Sequence, residues 1–262
     1  MQVLTLFLLP MAFLLPPGTW AGQIIRGWEA QPHSRPYMAF LKIRNGKKVS
    51  QCGGFLVRRN FVLTAAHCNG DEITVTLGAH DLDQEETTQQ EIPILRQLPH
   101  PDYSKKNLKN DIMLLQLAGR AKLNKWVKTI SLPSAKKRVK PGTNCSVAGW
   151  GITERGQKSG ASKLQEVDVE VLEDDECLGH RTWPYCHYDP STMMCVGRGE
   201  LGKDSAKGDS GGPLVCGGKA QGIVSCGGCS PPGVYTKLSH FISWIQKTMR
   251  RSQPSALPGS TA

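Results

Sequence analysis

Apolar residues run along this chain in short stretches separated by Gly, Pro, Asn, Asp and Ser. Such stretches occupy residues 37–43, 54–57, 61–66, 73–77, 92–98 and 112–117, then 145–150, 166–172, 213–216, 220–225 and 233–237. Short apolar strands at regular spacing between turn residues predict an all-β sandwich or barrel. One segment departs from this rhythm. Phe241, Ile245 and Met249 recur at helical spacing, which predicts a C-terminal helix packed on the body. The first apolar run, residues 3–15, is broken by Pro10 and is too short for a membrane span. It reads as the apolar region of a signal peptide ending at Ala21, although a basic segment before it is missing. No later stretch is apolar enough to span a bilayer. Residues 252–262, rich in Ser and Pro without periodicity, read as a disordered tail.

Composition changes this picture in two ways. With 39% hydrophobic and 21% charged residues the chain can form an ordinary core, in one or two domains for its 262 residues. The net charge of +10 favours polyanionic partners, namely sulfated glycans, nucleic acid or acidic membranes. Basic clusters at Lys105, Lys106 and Lys109, at Lys122, Lys125 and Lys128, and at 136–140 each read singly as a solvated face. Together with the net charge they point to a sulfated proteoglycan. Few aromatics stand among them and no nucleic-acid-binding motif is present, so nucleic acid is not expected as a partner. Nine cysteines indicate an oxidising compartment. Cys226-Gly227-Gly228-Cys229 has the spacing of a zinc or redox pair, but no second pair accompanies it, so neither metal nor cofactor is expected. Asn144-Cys145-Ser146 matches the glycosylation pattern.

The candidate chemistry centres on Gly208-Asp209-Ser210-Gly211-Gly212-Pro213. Glycines around a serine permit a tight turn that holds a hydroxyl outward and aims consecutive N–H groups at one spot. A Gly-rich surface turn has the same composition. Upstream, however, lie Thr64-Ala65-Ala66-His67-Cys68 and Asn110-Asp111-Ile112-Met113, which complete the order His, Asp, Ser. A hydroxyl needs a base to become a nucleophile, a histidine titrates near neutrality, and an aspartate fixes its tautomer.

On these three motifs the chain resembles the chymotrypsin-like serine proteases, from Ile24 to about Arg250. Residues 32–39 and 111–117 are similar in particular to the granzyme, cathepsin G and mast-cell chymase group. The resemblance implies two six-stranded antiparallel β-barrels with a C-terminal helix, in a protease domain over 24–251 whose barrels meet near 127–140. It implies an endopeptidase working through an acyl-enzyme, with Ser210 as nucleophile, His67 as base, Asp111 as its orienting partner, and the N–H groups of Gly208 and Ser210 as oxyanion hole. It further implies that removal of a dipeptide, here Gly22-Gln23, exposes Ile24, whose amine pairs with Asp209. Gly-Gln lacks the acidic residue usual there, and Arg26 replaces a usual Gly. The implied product is secreted or stored in a cytolytic granule, is a monomer, and takes protein or peptide substrates.

Asp204 falls where the family sets specificity, at the base of the pocket, with Ser205, Ser225, Gly227 and Gly233 around the substrate. The resemblance therefore implies cleavage after Arg or Lys. Two departures bear on this. Ala206 stands in place of a Cys, and Cys226 in place of an aromatic, so specificity for aromatic or aliphatic residues is the alternative. A catalytically weak heparin-binding protein is a further one. The implied disulfides are Cys52–Cys68, Cys145–Cys216 and Cys177–Cys195. Cys186, Cys226 and Cys229 remain, and a fourth bridge from Cys186 to Cys226 or Cys229 is expected. The other histidines carry no matching motif and read as surface or packing residues.

Overall fold

A computed structural model describes residues 27–135, 138–153, 159–179, 187–197, 208–228 and 230–252, with side chains at 227, 228, 230 and 231 outside the description. The first barrel closes in the order β2 (Met38–Asn45), β3 (Lys48–Arg58), β4 (Phe61–Thr64), β7 (Met113–Leu117), β6 (Gln90–Pro99) and β5 (Glu72–Leu77), all antiparallel. The second runs β9 (Gln165–Val171), β10 (Met193–Gly197), β13 (Ser230–Lys237), β12 (Lys219–Gly228), β11 (Pro213–Cys216) and β8 (Asn144–Gly149). It closes because β8 also pairs with β9, and β1 (Trp28–Glu29) adds to the outer edge of β9.

Alternation explains the walls. In β5 the buried Ile73, Val75 and Leu77 alternate with Glu72, Thr74 and Thr76, and in β9 Val167, Val169 and Val171 alternate with polar residues. In contrast, β4, β7, β10 and β11 are buried on both faces. Leu41, Phe55, Leu63, Ile112 and Leu114 are fully buried in the first core, each contributing about 1.5–3 kcal/mol by burial. The expected two-barrel fold with its C-terminal helix is the fold found.

Three elements were not expected. β1 has only two residues, and α1 (Asp174–Leu178) only five, too few for a periodicity to register. β10 is a short apolar run without alternation, because both of its faces are buried. α2 (Leu238–Arg251) buries Phe241, Ile242, Ile245 and Met249 in a core cluster that joins first-barrel residues to Val215, Ala220 and Ile223 of the second, and it continues directly from β13. It thereby straps one barrel to the other. Ser252, read as the start of the tail, instead belongs to the body. It is buried, and its carbonyl accepts hydrogen bonds from Gln116 (2.9 Å) and Arg96 (3.4 Å). Residues 253–262 lie outside the described residues.

The chain passes between barrels at Ile130 and Ser131. The Ile130 N–H donates to Leu56 of the first barrel, and the Ser131 carbonyl accepts from Ala220 of the second. Among the described residues no helix is long and apolar enough to cross a membrane.

Candidate active site

His67 sits in a one-turn 3-10 helix, Ala66–Cys68, that follows β4. Asp111 lies two residues before β7, the strand that pairs with β4, so adjacent strands of one barrel deliver both side chains to the same edge. The Asp111 carboxylate is buried. It accepts from the His67 backbone N–H at 2.9 Å through Oδ1 and pairs with His67 Nδ1 at 2.7 Å through Oδ2. Burial opposes the charged imidazolium, but the Asp111 charge and its hydrogen bond together outweigh that, and the His67 pKa is raised. The arrangement holds one tautomer and leaves Nε2 to exchange a proton, with the side chain 26% exposed.

The second barrel supplies two further groups that sequence reasoning had not placed here. Ser225, on β12, donates its hydroxyl to Asp111 Oδ2 at 2.6 Å, and Thr236, on β13, donates to the Asp111 carbonyl at 2.8 Å. Ser225, expected beside substrate, thus spends its hydroxyl on the carboxylate. The only sequence signal for either was a polar residue inside an apolar strand.

The 208–212 turn lies across the barrel interface. Gly53 on β3 donates to the Ser210 carbonyl at 2.8 Å, and Cys52, next to Gly53, is bonded to Cys68, next to His67. This brings the Ser210 backbone against the segment that carries His67. Gly211, at φ +84°, and Gly208, at φ +104°, adopt conformations that favour glycine. Space demands them as well. A Cβ on Gly211 would meet Thr64 Oγ1 at 2.1 Å, and one on Gly208 the Gly151 Cα at 2.8 Å. The Gly211 and Gly212 N–H groups are used, donating to Val224 and Asp209, whereas those of Gly208 and Ser210 make no hydrogen bond with described residues. Asp209 is fully buried and accepts from the Gly151 N–H at 2.9 Å.

Gly233 is buried on β13 opposite Val196, and Gly227 lies within β12. Asp204, Ser205 and Ile24 fall outside the described residues, as do Ala206 and Arg26. The three implied disulfides, Cys52–Cys68, Cys145–Cys216 and Cys177–Cys195, are formed. The expected fourth bridge does not end on Cys226. That residue keeps a free thiol and packs against the apolar cluster of Cys177, Cys195, Tyr188, Met193 and Val234. Cys186 and Cys229 lie outside the described residues. Among the described residues, Cys52, His67 and Cys68 are the one grouping with metal-ligand spacing, and both of its sulfurs are committed to a disulfide. His80 pairs with Glu29 and His100 packs on Phe241 and Trp244, as packing residues do.

Comparison with known proteins finds relatives along nearly the whole chain. Residues 24–245 match the family described as Trypsin. The chain is 54% identical to human granzyme B over 249 residues, covering 93% of this chain and 98% of the relative. It is 53% identical to sheep mast cell protease 3, covering 95% and 97%, and 51% identical to mouse cathepsin G, covering 94% and 93%. A solved structure described as "Structure of GrC" superposes with a TM-score of 0.81 at 46% identity, covering 87% of this chain and all of that one.

Proposed function

Because this chain belongs to the trypsin family of chymotrypsin-like serine proteases and is a serine endopeptidase, we propose that it cleaves peptide bonds with Ser210, His67 and Asp111. His67 takes the Ser210 proton as the hydroxyl attacks the scissile carbonyl, and an acyl-enzyme forms. The oxyanion is received by the N–H groups of Gly208 and Ser210. His67 then protonates the leaving amine, and water completes hydrolysis by the same route. One observation carries the reading: Asp111 holds His67 through two hydrogen bonds while the amides of Gly208 and Ser210 make none with described residues.

The proposed preference is for Arg or Lys, on the strength of Asp204 alone, six positions before Ser210. A buried carboxylate there would attract a long basic side chain. The half-buried free thiol at Cys226 favours a second reading, in which the cleft is reshaped for aromatic or aliphatic residues. Activation is proposed to follow loss of residues 1–21 and then Gly22-Gln23, when the Ile24 amine joins the buried Asp209. We further propose storage in a secretory granule, supported by the granzyme and cathepsin G relatives, and a sulfated proteoglycan partner, supported by the net charge of +10.

A peptide panel on protein beginning at Ile24, with Arg, Lys, Phe, Leu, Met and Asp at the cleavage position, tests the preference. Cleavage after Arg or Lys is expected; cleavage after Phe or Leu overturns the role of Asp204. Ser210→Ala should lower turnover on the order of a millionfold. Near-normal turnover in that variant removes Ser210 as nucleophile.

A further inference from the structure

The second barrel and the start of α2 enclose a cavity of about 200 Å³, and its lining includes none of the residues of the proposed triad. Arg138, Gln221, Lys237 and Ser239 line it, and so do the carboxylates Glu173 and Asp174. Gln221 is 7% exposed, yet its amide makes no hydrogen bond with described residues. Its amide keeps solvent access on this wall and offers donors and an acceptor to a ligand. Lys237 precedes the first residue of α2, and no side chain caps that helix, whose first-turn N–H groups favour negative charge. The Lys237 ammonium donates to the Pro190 carbonyl, which leaves it further donors. Burial lowers its pKa, Asp174 opposes that, and Arg138 adds to it, so two cations share this space. Asp174 is already occupied by the Tyr188 hydroxyl.

We propose that this cavity binds a tetrahedral oxyanion, a sulfate or phosphate group, through Gln221, Lys237, Ser239 and Arg138. The donors come from four parts of the fold: the connection before β8, β12, β13 and α2. Approach from several sides suits an ion with several acceptor oxygens better than a flat carboxylate. The volume exceeds that of one such group, leaving room for several waters of about 30 Å³ each or for part of a molecule that bears the group. This site does not depend on the protease reading.

Crystals of the Ser210→Ala protein soaked in sodium selenate test it directly, because selenium scatters anomalously. A single peak among the four residues is expected. In solution, sulfate should raise the melting temperature of the same protein saturably above sodium chloride at matched ionic strength. Gln221→Leu and Lys237→Met should each weaken that saturable part about tenfold, the effect of losing one hydrogen bond to a charged group. Peptide hydrolysis by Gln221→Leu carrying an intact Ser210 should stay unchanged, which shows that it folds. A sulfated disaccharide that binds more tightly than inorganic sulfate identifies an ester group as the natural ligand; equal binding identifies the free ion. An empty cavity after the soak, or titrations alike in the parent and both variants, overturns the proposal.

Discussion

At the residue scale, the site turns on what surrounds one carboxylate. Asp111 accepts from the His67 backbone, the His67 ring and the Ser225 hydroxyl, and these bonds satisfy the oxygens of a buried carboxylate. The upward shift on His67 has two consequences of opposite sign. The ion pair stabilises the fold fully below the ordinary histidine pKa of about 6.5, and that contribution is lost as pH rises through the raised folded value. Catalysis needs the neutral imidazole, so kcat/KM should rise along an acid limb set above about 6.5. Asp111→Asn should move that limb downward and lower kcat by about 10⁴, because the tautomer is no longer held. A pH–rate profile of both proteins checks this. Gly151 offers a second test. A Cβ there would lie 2.6 Å from the Asp209 carboxylate, so Gly151→Ala should displace Asp209 and the Ser210 turn. Hydrolysis should fall at least about tenfold, a shift of roughly 1 Å at the reacting atoms being enough. Tyr103 carries a buried hydroxyl without a partner among the described residues, and burial, then the Asp111 charge, pushes its pKa up to about 12. Tyr103→Phe should keep activity and leave stability equal or raise it by about 1 kcal/mol, read from urea denaturation.

At the element scale, α2 and the 208–212 turn hold the two barrels in one arrangement. The helix buries its apolar stripe in the cluster that joins the two barrels and starts from the second, so loosening it should loosen the interface where Asp111 meets Ser225 and Thr236. Phe241→Ala is expected to cost about 3–5 kcal/mol in chemical denaturation, through lost burial and the cavity left behind. Much of this level was legible in the chain. Strands with one wet face announced themselves by alternation, and α2 by its helical spacing. β4, β7 and β11, covered on both faces, were legible as apolar runs without a period, whereas β10, covered likewise, was not, and its neighbours β9 and β13 come from distant sequence.

At the scale of the whole molecule, the net charge of +10 belongs to long-range attraction more than to any single contact. Retention on immobilised heparin should fall steeply between about 0.1 and 1 M salt, as the screening length shrinks from about 10 Å to about 3 Å. Salt-independent retention would remove the polyanion reading, while leaving the oxyanion cavity beside α2 to its own test.

The sequence alone determined the class of this protein. Three local strings in the order His, Asp, Ser carry the proposed triad, the spacing of apolar runs carries the β architecture, and the chain resembles one family over nearly its whole length. The cysteine count likewise announced disulfides, and three of them form. Only the tertiary structure decided which groups meet. Ser225 and Thr236 are 114 and 125 residues from Asp111, and their hydrogen bonds exist because β12 and β13 of one barrel face the edge of the other. The free thiol of Cys226 and the place of Gln221, whose amide makes no hydrogen bond with described residues, were equally beyond the sequence. Whether a polar group finds a partner depends on neighbours that the fold alone brings together.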